Sequence, residues 1–243
     1  MAKFEAVLHG RLGGAISAWV DLVFPPPCAG CGRRGSQFCA RCVAAVRPLR
    51  PPWCVSCGRS ILAGNLCADC RLDPLPLASL RSAGYHTGPL RRAVHCLKYR
   101  GRKGSGRVLA DLLERPAGEL DPRWPEGERP LVVPIPLHPF REWERGYNQA
   151  ALLARPLAAA LGLPYAPGAL RRLRPTASQV GLDRRRRREN VRGAFAAAPV
   201  LCGRAVLLVD DVATTGSTLG SAAGTCLEGG AIGVWALTLA REG

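Results

Sequence analysis

Near its C-terminus the chain runs Leu207-Leu208-Val209-Asp210-Asp211-Val212-Ala213-Thr214-Thr215-Gly216-Ser217-Thr218, an order of residues that few folds accommodate. The apolar stretch Ala205 to Val209 predicts a buried strand with two carboxylates at its exit. A loop of hydroxyls and glycine then leads into a helix from about Ser217, which Gly229-Gly230 stops. A second apolar strand is expected from Ile232 to Leu239. Strand, helix and strand in that order predict a parallel sheet, whose ligands gather at the carboxyl ends of its strands. The loop before the helix offers unpaired backbone N–H groups and the positive end of a dipole, which suits a phosphate. Asp210 and Asp211 can accept hydrogen bonds from paired sugar hydroxyls or help hold a divalent cation. Phosphate, sugar diol and metal together describe a phosphorylated ribose.

Cysteine spacing constrains the N-terminal third. Eight of eleven cysteines form four C-x-x-C pairs: Cys28/Cys31, Cys39/Cys42, Cys54/Cys57 and Cys67/Cys70. Two intervening residues let both thiolates of a tight knuckle reach one tetrahedral ion, and each ion then needs a second knuckle. The sequential partition is favoured, with Cys28, Cys31, Cys39 and Cys42 on one zinc and Cys54, Cys57, Cys67 and Cys70 on another; an interleaved pairing stays open. Gly32 and Gly58 directly follow two pairs, where a knuckle needs a positive φ. Four pairs outside any βαβ pattern argue against a redox role. Four thiolates leave no open position on the ion, so both zincs are read as structural, in a segment too short and polar to fold without them. Cys96, Cys202 and Cys226 fall outside the pattern and read as buried small hydrophobes.

Between these two regions, a Pro-rich linker (Leu72 to Leu77) precedes an expected strand from Arg81 to His86. Gly88-Pro89 opens a helix with Leu90, Val94 and Leu97 on one face, presenting Arg91, Arg92 and Lys98. A further helix is expected from Ser105 to Glu114, and residues 116–129 read as a surface loop. Leu131-Val132-Val133 is a short buried strand ending in Pro134-Ile135-Pro136-Leu137-His138, where proline stops strand pairing. That puts a second loop at the carboxyl edge of the sheet. Arg145-Gly146-Tyr147-Asn148-Gln149 then opens a helix ending near Gly162. Residues 171–192 hold nine arginines against Asp183 and Glu189. For most of those arginines a solvated helix or mobile loop is the plainer reading. As a functional object the segment is a lid that closes over a polyanion, with Arg187 as its catalytic candidate and Gln179 as a binding candidate.

The segments "YHTGPLRRAVHCLKYRGRK", "VVPIPLHP", "ERGYNQA", "SQVGLDRRRRRENVRGAF" and "LLVDDVATTGSTL", behind paired cysteine knuckles, resemble the ComF family. That family is associated with natural competence and joins a zinc-binding N-terminus to a phosphoribosyltransferase-like domain. The resemblance spans residues 20 to 240, although the run Arg184 to Arg188 is more uniformly basic than the family pattern. It implies an α/β fold: a type I phosphoribosyltransferase-like, mostly parallel sheet with flanking helices, preceded by a small double zinc ribbon. The expected organisation is an N-terminal amphipathic helix (1–27), the ribbon (28–72) and the transferase-like domain (79–243). The implied ligand is phosphoribosyl pyrophosphate (PRPP), or another phosphorylated ribose, with Mg²⁺. Asp210 and Asp211 then meet the ribose hydroxyls, and Thr214, Thr215, Gly216, Ser217 and Thr218 cradle the 5′-phosphate. Pro134, Ile135, Pro136 and Leu137 border the pyrophosphate, with Arg145 and Asn148 as further binding residues. Three roles compete: transfer of phosphoribose to an unknown acceptor, binding of single-stranded DNA without catalysis, and an adaptor role among other DNA-uptake proteins.

A hydrophobic content of 47% is enough for a real core and excludes a disordered basic tail. No stretch of about 18 uncharged apolar residues occurs, so no spanning helix is expected. Met1 to Phe24 is apolar but broken by Lys3, Glu5, His9, Arg11 and Asp21, which reads as an amphipathic helix rather than a signal peptide; a cytoplasmic location is expected. The net charge of +16 favours polyanionic partners. Only Lys3, Lys98 and Lys103 among 34 basic residues are lysine, a skew that genome composition produces as readily as function. Five Trp, four Tyr and five Phe are few for base stacking, so DNA binding would be mainly electrostatic.

Overall fold

The computed structural model describes residues 25–99, 104–120, 124–125, 127–174 and 193–243. Residues 1–24 of the expected N-terminal helix, and Gln179 and Arg187 of the arginine-rich segment, lie outside the described residues. The strands are β1 (Ser79–Tyr85), β2 (Leu131–Pro134), β3 (Leu170–Arg172), β4 (Phe195–Ala197), β5 (Ala205–Ala213) and β6 (Gly233–Arg241). Four of them form one sheet in the order β1-β6-β5-β2 with every neighbour parallel, while β3 and β4 pair antiparallel apart from it. The helices are α1 (Ala40–Ala44), α2 (Ala68–Leu72), α3 (Gly88–Tyr99), α4 (Ser105–Ala110), α5 (Glu114–Gly118), α6 (Pro139–Arg145), α7 (Gln149–Ala160) and α8 (Ser217–Glu228). No helix among the described residues is long and apolar enough to cross a membrane.

Strand periodicity divides the core. Ala205, Leu207 and Val209 of β5 face a layer containing α3, α4 and α7, while Val206 and Leu208 face α8. Because β5 and β6 are buried on both faces, each reads as a continuous apolar run rather than an alternating one. A fully buried Leu or Val contributes about 1.5–3 kcal/mol relative to exposure, so burial of these strands is strongly stabilising. The two cysteine clusters are split by the same sheet: Cys28, Phe38 and Cys42 join the first layer, and all four cysteines of the second cluster join the α8 side.

Several expectations are corrected. β5 does not end at Val209 but continues through both aspartates to Ala213, because β6 keeps pairing with it as far as Ala213↔Arg241. On its other side β2 stops at Pro134↔Val209, since Pro136 cannot extend the ladder. The acids therefore sit inside a strand, at the point where the sheet loses its edge neighbour. The Leu72–Leu77 linker is not a spacer, as Leu75 and Leu77 are buried in the core. Residues 116–129 are not wholly a surface loop, because Ala117 within α5 and Leu120 just after it are buried. Cys202 is exposed, unlike Cys96 and Cys226. The short helix α6 was not expected. His138 caps it by accepting from the Phe140 N–H through Nδ1 (3.3 Å), Pro139 opens it, and Gly146 ends it at φ 73°.

Candidate functional site

The sequential cysteine partition is the one the fold adopts. The sulfurs of Cys28, Cys31, Cys39 and Cys42, and those of Cys54, Cys57, Cys67 and Cys70, each lie within 4.8 Å of one another. Sγ–Sγ separations are 3.7 Å for Cys28–Cys42 and 3.8 Å for Cys31–Cys39 and Cys57–Cys67. A tetrahedron with Zn–S bonds of about 2.3 Å has edges of about 3.8 Å, so both clusters fit zinc. Gly30 and Cys39 donate their N–H groups to Cys28 Sγ (both 3.3 Å), a pattern that favours thiolate. Burial pushes the Cys28 thiol up, but these backbone donors prevail and bring it down to about 6. Gly32 and Gly58 turn the knuckles at φ 79° and 69°. Cys31 is exposed and Cys39 partly so, whereas the second cluster is buried throughout.

At the carboxyl end of the sheet a cavity of about 310 Å³ opens where β2 has stopped. Asp210 and Asp211, 9% and 3% exposed, form its floor. Asp210 Oδ1 accepts from the Asp211 N–H (2.8 Å), and Asp211 Oδ2 pairs with Lys98 Nζ at 2.9 Å. Burial, and next the Asp211 charge, push Asp210 up to about 8. Burial depresses Lys98, but Asp211 and then Asp210 more than offset it and hold the ammonium above its ordinary value. Asp210 therefore holds its proton to higher pH than an ordinary aspartate, while Asp211 faces the Lys98 ammonium. Gly216 (φ 80°) is the N-cap of α8 and has no side chain of its own to accept from the first-turn N–H groups. Thr215 Oγ1 lies 2.7 Å from Ser217 Oγ and accepts from the Ser217 N–H (3.3 Å), which stiffens the loop.

The expected site residues divide. Ile135 and Leu137 line the cavity with Asp210, Asp211, Thr214, Gly216, Ser217 and Thr218; Pro134, Pro136 and Thr215 do not. Thr215 instead faces the second ribbon, beside Cys57, Arg59, Asp69 and Arg241. Arg145 and Asn148 brace the site from behind. The Arg145 guanidinium lies 5.4 Å from the Tyr99 ring centroid and donates to Gln149 Oε1, while Gln149 itself reaches the cavity. Asn148 caps α7 through the Ala150 N–H (2.9 Å) and donates to the Ile135 carbonyl (3.0 Å). Tyr147 Oη donates to the Leu97 carbonyl (2.6 Å), one residue from Lys98. The ERGYNQA segment therefore ties the end of α3 to the loop after β2.

Sequence reasoning did not name Lys98, His86, Arg141 or Glu242 as site residues and counted Arg172 only within the arginine-rich segment; all five line the cavity. The signal for Lys98 was compositional: a lysine is rare in a chain that otherwise uses arginine. A flexible four-carbon stem ending in a compact charge reaches a buried carboxylate where a planar fork does not fit. His86 and Glu242 arrive from the ends of β1 and β6, 3.7 Å apart, and no local pattern marks them. Burial holds the His86 imidazole below its ordinary value, against the pull of Glu242.

A parallel sheet, an acid pair at its carboxyl edge, a hydroxyl-rich loop opening a helix, and two four-cysteine clusters define an α/β fold with a double zinc ribbon. The family model for the double zinc ribbon domain matches residues 19–71. Over 205 residues the chain is 37% identical to the DNA utilization protein YhgH of Salmonella typhimurium, spanning 82% of this chain and 89% of that protein. Competence protein F of Haemophilus influenzae is 31% identical over 75% of this chain and 80% of its own length. Competence protein ComFC of Bacillus subtilis is 28% identical over 85% of each. The chain belongs to the ComF family. Among solved structures, a glutamine PRPP amidotransferase from B. subtilis complexed with ADP and GMP aligns with 60% of this chain and 27% of that one, at 21% identity and a TM-score of 0.35.

Proposed function

We propose that the chain binds PRPP with Mg²⁺ at this cavity and transfers phosphoribose to an acceptor in the handling of DNA. The observation that carries the reading is the convergence of Asp210, Asp211 and Lys98 with the Thr214–Thr218 loop on one cavity at the open edge of the sheet. The loop and the α8 N-terminus receive the 5′-phosphate. The two carboxyl groups meet the ribose diol. Ile135 and Leu137 border the pyrophosphate, with Arg141 and Arg172 on the same wall supplying positive charge. Mg²⁺, a hard cation suited to carboxylate and phosphate oxygens, would neutralise the leaving pyrophosphate. In the transfer, the C1′–O bond breaks with its electron pair going to pyrophosphate, the acceptor's lone pair forms the new bond at C1′, and the proton the acceptor gives up passes to solvent or to the departing pyrophosphate.

Calorimetric titration of PRPP with Mg²⁺ into zinc-loaded protein tests the reading. Saturable binding is expected, and Asp210→Asn/Asp211→Asn abolishes it. No binding to the wild type would exclude this ligand. Pyrophosphate release, screened across bases, amines and nucleic acids, then decides between transferase and binding module.

A second reading, binding of single-stranded DNA, is favoured by one feature. Phe140 and Trp143 of α6 are strongly exposed, with ring centroids 6.2 Å apart, and flank Arg141 at the cavity wall. Exposed aromatic rings beside guanidinium groups suit stacked bases. Anisotropy of a labelled oligonucleotide should then fall steeply with salt and weaken in Trp143→Ala. A flat salt response speaks against it.

A further inference from the structure

Arg241 ends β6 and is almost wholly buried, at 1% exposure. Its Nε and Nη1 atoms are shielded from solvent and have no hydrogen-bond partner among the described residues. An uncompensated guanidinium in such a place is costly, so its surroundings must supply negative charge. It shares a small cleft with Cys57, Arg59, Asp69 and Thr215. Asp69 already pairs with Arg59 at 3.4 Å, so a single carboxylate faces two guanidinium groups. Four neutral thiols would leave that balance positive. Four thiolates around one Zn²⁺ carry a net charge of about −2, and sulfurs bound to zinc still accept hydrogen bonds from nearby donors. Cys57 of the second cluster lies in the same cleft, so the cluster is the anionic partner within reach of the guanidinium.

We propose that Arg241 is the buried counter-charge of the metal-loaded second four-cysteine site, so that the ribbon's zinc and the last strand of the sheet hold each other in place. Arg241 is then a positioning residue, since it ligates no metal. The proposal explains why the two clusters differ. The first, with Cys31 exposed, has Arg92 nearby, but that side chain donates to the Gly30 carbonyl in the knuckle. The second is dry and needs a cation within the fold. The inference is independent of the phosphoribose reading, because both its terms lie outside the cavity.

The test uses the full chain loaded with zinc, carrying Cys31→Ser/Cys39→Ser so that only the second site supplies metal. Release to a metallochromic chelator is expected to be about ten-fold or more faster in Arg241→Met, and near the parent rate in Arg241→Lys, which keeps the charge. Equal release by Arg241→Met and the parent would overturn the proposal. Should Arg241→Met fold poorly, thermal unfolding of a cycle decides instead. With the second site removed by Cys57→Ser/Cys70→Ser, Arg241→Met is expected to leave Tm unchanged or raise it, because the unpaired charge is gone. An equal loss of Tm with and without the second site would show that Arg241 merely packs.

Discussion

At the residue scale, the acid pair behaves as a proton-holding unit because burial and proximity act together. With Asp210 pushed up to about 8, the native protein keeps a proton that an unfolded aspartate loses near pH 4. Unliganded stability is therefore present at mildly acidic pH and falls as pH rises toward 8. Binding of a cation or diol that needs the ionised carboxylate runs the other way. Affinity for PRPP and Mg²⁺ should rise with pH up to about 8 and then level off, with uptake of ligand releasing protons at pH 7. Titration in two buffers of different ionisation enthalpy measures that release, and a zero value contradicts the assignment. Lys98 makes a second prediction at this scale. Lys98→Met removes the 2.9 Å partner of Asp211 and puts two buried acids in contact without a cation, so ligand affinity should drop by about ten-fold or more. Lys98→Arg should not restore it, because a planar fork cannot replace the point charge in the same space.

The elements explain why the loop stands where it does. Gly216 adopts φ 80°, and a Cβ there would come within 2.6 Å of Leu75 Cδ1. Leu75 in turn is held by its N–H donating to Ser56 Oγ (2.9 Å) within the second ribbon. The phosphate-type loop thus rests on a leucine from the chain that joins ribbon to sheet. Gly216→Ala should cost about 1–2 kcal/mol in left-handed backbone strain. In a chain of this size that corresponds to about 2–8 °C in Tm, together with weaker phosphate binding. Leu75→Ala leaves a cavity under the loop and should cost about 2–5 kcal/mol. Thermal unfolding of the two variants checks both values. If Leu75→Ala proved neutral, the loop would not be resting on it.

Across the whole molecule, the sheet separates two zinc sites of unequal protection. Purified protein should hold two zincs per chain, and chelation should remove them in two phases, the cluster with exposed Cys31 first. PRPP binding is expected to survive the first phase and fail in the second, since among the described residues it is the second ribbon, through Leu75, that packs beneath the Gly216 loop. Metal analysis alongside calorimetry reads both. Local spacing made much of this visible in advance: knuckle cysteines two residues apart, apolar runs of strand length, and a loop of hydroxyls before a helix. Each is a contact between near neighbours, so sequence order alone carries it. The placement of Lys98, His86 and Glu242 in one cavity was not visible, because α3, β1 and β6 meet only through strand order β1-β6-β5-β2. Asn148 and Arg145 looked like ligand residues because they follow a strand-end loop, yet their hydrogen bonds go to the Ile135 carbonyl and to Gln149. The sequence by itself determined the four C-x-x-C knuckles and the strand–loop–helix that presents Asp210 and Asp211, while their partition into two sets came from the fold. Only the tertiary structure decided where β2 ends, which lysine neutralises the acids and which arginine faces the second cluster, because charges brought together from distant segments interact through space, not through the chain.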